Sequence, residues 1–136
     1  TPKNSSAASD VYKRQDISTN SANMNDIPIN VSQKSHKKES VLITGLPYKT
    51  DYSNSSLDNM IQDMQQWQKI RMIGSAAMAA CYIASGKAER YQENGIFLWD
   101  IIAGAAIVES AGGSAEIFNQ RDNFQVDVIF SNSKVK

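Results

Sequence analysis

Two carboxylates, Glu93 and Asp100, stand seven residues apart with the apolar run Ile96-Phe97-Leu98-Trp99 between them. Asp100 then opens a segment of small and apolar residues that closes on Gly112-Gly113. An Asp directly before such a segment reads as a helix N-cap or first-turn residue, and a Gly pair reads as the stop of that helix. The side chain is then expected at the positive end of a helix dipole, behind an apolar wall. That setting keeps a carboxylate ionised, which suits a metal ligand. By spacing alone, an Asp in this place is more often only a cap. Ser75 poses the same choice: at the start of a small-residue helix it either caps the helix or offers a hydroxyl to an anionic ligand.

The wording around these residues narrows the choice. The stretch Y-Q-E-N-G-I-F-L-W-D-I-I-A-G-A-A-I-V-E-S-A-G-G resembles the C-terminal signature of the inositol monophosphatase family, the Mg2+-dependent, lithium-sensitive phosphomonoesterases. The pattern W-D-x-x-A-G, an apolar stretch, then E-x-A-G-G is specific. Upstream, Arg71-Met72-Ile73-Gly74-Ser75-Ala76-Ala77 resembles the family's R-x-x-G-S/T-A-A element, at about the expected distance. The resemblance implies that Asp100 is a catalytic residue and a ligand to Mg2+. It also implies that Glu93 contacts a hydroxyl of the substrate's alcohol, and that Gly74, Ser75 and Ala76 contact the substrate. Hydrolysis of a phosphate monoester asks for such parts: cations on the phosphoryl oxygens, an activated water and groups that fix the leaving alcohol.

One family element is missing. Most of the family's metal site comes from an upstream Glu and a D-P-I/L-D-G-T motif, and no such motif occurs in this sequence. Glu39, the one acidic residue among positions 27 to 50, lacks that context. The resemblance therefore implies the C-terminal half of the family fold with the hairpin before it, and a polypeptide that is catalytically incomplete as given. The replacement of the family's usual Ala by Ile102 is minor.

The elements that must position these residues follow from periodicity. Residues 1–20 lack apolar periodicity and are rich in Ser, Asn and Lys, so a disordered or non-native leader is expected. Within it, Ser5 to Gln15 resembles translated sequencing adapter, placing the start of native sequence near Ala22 and the domain over 21–136. Asn25 to Ser32 reads as a turn and a short strand, resembling the family's N-G-x-P-I-x-V-S hairpin. Val41-Leu42-Ile43-Thr44-Gly45 reads as a buried strand, and Leu46-Pro47-Tyr48 as a loop resembling T-G-F-P-Y. Leu57, Met60, Ile61, Met64 and Trp67 fall at helical spacing, with Ser55 and Asp58 approximating a capping box and one face packed on a sheet. Lys69 to Met72 is a short strand candidate. Ser75 to Gly86 is apolar on nearly every side and is expected to be buried between layers. Arg90-Tyr91-Gln92 reads as a strand edge, Ser114 to Phe118 and Val126 to Phe130 as strands, and Asn119 to Asn123 as a turn. Strands alternating with helices predict an α/β layered sandwich with a mixed sheet flanked by helices.

Composition sets the outer bounds. The 136 residues suffice for one small domain, and 14 basic against 14 acidic residues leave a net charge of zero. Nothing in that balance points to a nucleic-acid partner. A single cysteine, Cys81, excludes an intramolecular disulfide and makes a reducing cytoplasm the simplest location. Cys81 lies among alanines and reads as a small buried hydrophobe; His36 reads as a surface residue in a polar connector. No run of about 18 apolar residues occurs, so no membrane span is expected. The implied partner is a small phosphate monoester, with a possible homodimer, since the family commonly dimerises. The alternatives are a nucleotide or sugar phosphate phosphatase, or a non-catalytic α/β binding or dimerisation module.

Overall fold

A computed structural model describes residues 13–16, 21–46 and 49–136. In chain order these residues form β1 (Lys13–Asp16), β2 (Ser21–Met24), β3 (Ile27–Pro28), β4 (Val41–Thr44), α1 (Asn54–Met64), β5 (Lys69–Met72), α2 (Ala76–Ala84), β6 (Arg90–Phe97), α3 (Ile102–Ser110), β7 (Ser114–Phe118) and β8 (Gln125–Ser131). Short 3-10 turns lie at Lys37–Glu39 and Leu98–Asp100. The sequence-based leader over 1–20 falls mostly outside the described residues; within that range Lys13–Asp16 pair antiparallel with β2 as β1.

Asn25 and Asp26 turn the next hairpin, both with positive φ (52° and 63°). Two such residues in succession match the twist of the flanking strands, and Asn and Asp tolerate them best after Gly. The strand after the turn is only two residues long, and Ile29 N–H continues the pairing past Pro28 by donating to Ala22 C=O at 2.9 Å.

The main sheet has the order β5-β4-β6-β8-β7. β4 runs parallel to β5 and to β6, while β8 is antiparallel to both β6 and β7. The mixed sheet predicted from sequence is therefore present. β6 is a correction: the Arg90-Tyr91-Gln92 segment is central rather than an edge, flanked by β4 and β8. Its inward side chain Tyr91 is buried and packs its ring 5.7 Å from that of Phe130.

α2 and α3 form the layer over this sheet, and their small residues explain how. Ala79, Ala80 and Ala84 of α2 are fully buried. A Cβ added at Gly104 of α3 would lie 2.6 Å from the Cβ of Ala80, so the helices touch almost backbone to backbone. Cys81 is buried in this layer as a free thiol, as its alanine neighbours suggested.

α1 departs from the sequence reading. None of its residues is fully buried, and Ile61 is 47% exposed, so the apolar stripe is only half covered. Trp67 is buried but lies beyond the helix. Its N-cap is Ser53, not Ser55: the Ser53 hydroxyl accepts from Ser56 N–H at 3.4 Å. Asp51 decides the register by accepting the Ser53 N–H at 2.9 Å, which holds Ser53 in the extended conformation a cap needs.

A buried polar network fastens the connector to the start of β4 and β6. Glu89 is buried and accepts Val41 N–H at 2.6 Å. Asn132, also buried, donates to the carbonyls of Ser32 and Lys34 and accepts from Lys134 and Val135 N–H. His36 is exposed at the edge of this connector, as expected.

Candidate active site

β6 carries Glu93 and leads directly into the 3-10 turn that carries Asp100. Glu93 projects half-buried from the strand, and the Tyr91 hydroxyl donates to its Oε2 at 2.8 Å. On its other side Gly45, just past β4, meets the same carboxyl group. A Cβ there would lie 2.7 Å from Glu93 Cδ, closer than real atoms allow, so the T-G step leaves room for Glu93. Burial raises the Tyr91 pKa, and the charge of Glu93, the hydrogen bond to it and the charge of Asp100 add to the rise. Tyr91 is thus held as a neutral donor between two negative groups.

Beyond Glu93 the strand bulges. Glu93 pairs with Val128 and Ile96 with Val126, so Asn94 and Gly95 together face Asp127 alone. Gly95 has φ +70°, the left-handed conformation that such an irregularity uses and that Gly adopts without strain. The chain then runs through an aromatic stack. Phe97 and Trp99 lie parallel at 4.7 Å, and Phe124 sits at 6.2 Å from Trp99. The wall expected to shelter Asp100 is consequently a surface feature, with Trp99 62% exposed.

Asp100 does not cap α3. It closes the 3-10 turn Leu98–Asp100, and Ile101 takes the N-cap position with no side-chain bond. The fully buried Ile101 side chain anchors the helix start, so capping by Asp100 is not required. The Asp100 carboxylate is exposed, and no described residue gives it a hydrogen bond or ion pair. That leaves its oxygens available to a cation.

Gly74 (φ +72°) turns the chain from β5 into α2. Ser75 is the N-cap of α2, its Oγ accepting from Met78 N–H at 3.3 Å. Capping uses the oxygen as acceptor and leaves the hydroxyl proton free to donate outward, so the two readings of Ser75 are compatible. Ala76 is buried at the first helical position.

A cleft of about 560 Å³ opens beside Glu93 between β4, β6 and α1. Thr44, Gly45, Asn59, Asp63, Gln92 and Glu93 contribute to its lining. Gln92 donates to Asp63 Oδ2 at 2.8 Å and so ties α1 to β6. Glu93 belongs to this cleft, whereas Gly74, Ser75, Ala76 and Asp100 are not among the residues lining it. Among the described residues no group of three or more His, Cys, Asp or Glu could hold a metal ion. Mg2+ accepts one or two carboxylates with several waters and substrate oxygens completing its shell. The unengaged Asp100 fits that demand as one ligand.

Sequence reading passed over Asp127. This buried residue accepts from Gly95 N–H, Asn119 Nδ2 and Arg121 Nη2, each at 2.9 Å. Burial pushes its carboxyl upward, but the bonds from Asn119, Gly95 and Arg121 and the Arg121 charge outweigh it and hold the group below the ordinary Asp value. An acidic residue between Val126 and Val128, inside a strand, was the available signal.

Fold and site together define a layered α/β domain whose central strand presents one constrained carboxylate and leads into a turn that presents a free one. The model of the inositol monophosphatase family matches residues 7–136, and the chain belongs to that family. It is 38% identical over 102 residues to Nus factor SuhB of Pasteurella multocida (strain Pm70), an alignment that covers 72% of this chain and 37% of that protein. It is 40% identical over 93 residues to inositol monophosphatase of Mesembryanthemum crystallinum, covering 66% and 34% respectively. In structure it resembles the extragenic suppressor protein suhB from Bartonella henselae, with TM-score 0.72, 28% identity and coverage of 84% of this chain and 45% of that one. It also resembles inositol monophosphatase from Anabaena (Nostoc) sp. PCC 7120, with TM-score 0.71, 27% identity and coverage of 85% and 48%. The chain thus spans less than half the length of these relatives.

Proposed function

We propose that this chain supplies the C-terminal part of a Mg2+-dependent phosphomonoesterase acting on inositol monophosphate or a related small phosphate ester. The observation that carries the reading is the pairing of two carboxylates on β6 and the turn after it: Asp100 with its carboxylate unengaged, and Glu93 held by Tyr91 beside the cleft. Asp100 would hold Mg2+, with further ligands supplied from outside the described residues. The bound cation would supply charge neutralisation at the phosphoryl oxygens. Glu93 orients the substrate alcohol by accepting from one of its hydroxyls. The Ser75 proton and the free N–H groups at the start of α2, beside Gly74 and Ala76, suit anionic oxygens. The exposed Phe97, Trp99 and Phe124 support a homodimer as an apolar surface open to a second copy. No helix among the described residues is long and apolar enough to cross a membrane. With one buried free thiol, the cytoplasm is the proposed location.

A second reading, a non-catalytic α/β binding or dimerisation module, is favoured by the absence of a metal-holding cluster among the described residues. The two readings separate in one experiment. The 136-residue chain alone is expected to show no Mg2+-dependent turnover of inositol monophosphate above background. The same chain joined to an upstream segment bearing the missing acidic motif should turn over, and Asp100→Asn should lower kcat/KM there by about 10²-fold or more, only partly restored by added Mg2+. Unchanged activity in Asp100→Asn would remove Asp100 from the site.

A further inference from the structure

The bulge between the two carboxylates is held from outside β6, and the holding groups all come from β8 and the β7–β8 connection. Gly95 N–H reaches Asp127 Oδ1 at 2.9 Å, and Gly95 C=O accepts from Gln125 Nε2 at 2.9 Å. Both polar backbone groups of one unpaired residue are thus satisfied by side chains. Asn119 and Arg121 complete the Asp127 carboxylate, and Asn123 Nδ2 fixes Gln125 by donating to its Oε1 at 2.9 Å. The same connection holds the chain further on, where Leu98 N–H donates to Phe124 C=O at 3.0 Å, two residues before Asp100. A loop that only closed a hairpin would not need a buried carboxylate with three donors. Of these groups the Asp127 carboxylate is the buried one, and leaving it without its donors would be costly.

We propose that Asp127 is a positioning residue: through the Asn94–Gly95 bulge it sets the place of Glu93 relative to Asp100. The importance of that spacing rests on the proposed phosphatase reading; the clamp itself does not. Asp127→Asn preserves shape but replaces one acceptor oxygen by a donor, so a donor must face Gly95, Arg121 or Asn119.

The test uses the isotopically labelled 136-residue chain and amide NMR. In Asp127→Asn, exchange of the Gly95 amide should quicken by about 10-fold or more. Shift changes should concentrate at Glu93, Asn94, Gly95 and Leu98, leaving Leu42 and Val108 unmoved. Arg121→Gln, at a half-exposed position whose loss the fold can bear, should move the same amides in the same direction by less. Uniformly faster exchange through β4, β6 and β8 in Arg121→Gln would make the cluster a general stabiliser and overturn the proposal. So would an unchanged Gly95 amide in either variant. Local loosening together with no turnover in the upstream-completed chain would retain the clamp and discard the phosphatase reading.

Discussion

Glu93, on β6, and Asp100, in the turn that follows it, share a charge but differ in how they are held. The Tyr91 hydroxyl and the close backbone of Gly45 confine Glu93, while Asp100 has no partner among the described residues. A confined acceptor suits recognition of a hydroxyl; an unengaged carboxylate suits a cation. In an active, upstream-completed enzyme, Glu93→Gln should cost roughly 1–3 kcal/mol in kcat/KM, the range for a hydrogen bond to a charged group. The loss should be large for a polyol phosphate and small for an aryl phosphate that has no hydroxyl to bind. Steady-state kinetics on both substrates checks it, and equal losses would sink the assigned role.

At the scale of elements, the packing of α2 on α3 bears on the geometry of the proposed site. Ser75 caps α2 and α3 follows directly on the Asp100 turn, so the distance between these helices sets the distance between two parts of the proposed site. At Gly104 against Ala80 that contact leaves no room for an added Cβ. Gly104→Val should overpack it and destabilise the chain by about 1–3 kcal/mol. Urea unfolding checks the magnitude; a wild-type midpoint in the variant would show that the helices separate without cost. α1 contrasts with this pair. Its half-covered stripe, tied by side chains through Asp63 to Gln92 and Lys37, makes it the looser wall of the Glu93 cleft.

For the molecule as a whole, Asp127 is one route by which acid should act. Its carboxyl is held below the ordinary value of 3.8 in the folded chain, so the folded state binds its proton less readily than the unfolded state. Its contribution to stability is complete above the unfolded value and is lost as pH falls through that value toward the lower folded one. Denaturant midpoints of the wild type should therefore drop between about pH 5 and pH 2 more steeply than those of Asp127→Asn, and the gap between the two should close. Parallel pH dependences would show that the Asn119–Arg121–Gly95 arrangement confers no preference for the ionised form.

The sequence alone carried the local facts that repeat along the chain. Periodicity placed β4, β5, β7 and β8 and the two alanine-rich or small-residue helices, because alternation and small-residue runs are properties of neighbours in sequence. The spacing and wording from Glu93 to Gly113 marked the two carboxylates and the family. Tertiary structure decided what depends on partners far along the chain. The centre position of β6 and the release of Asp100 from capping each follow from contacts no local pattern encodes. Asp127 is the clearest case: its donors are the N–H of Gly95, 32 residues away, and the side chains of Asn119 and Arg121. Only when β6 and β8 pair out of register does a buried carboxylate between two valines acquire a backbone to hold.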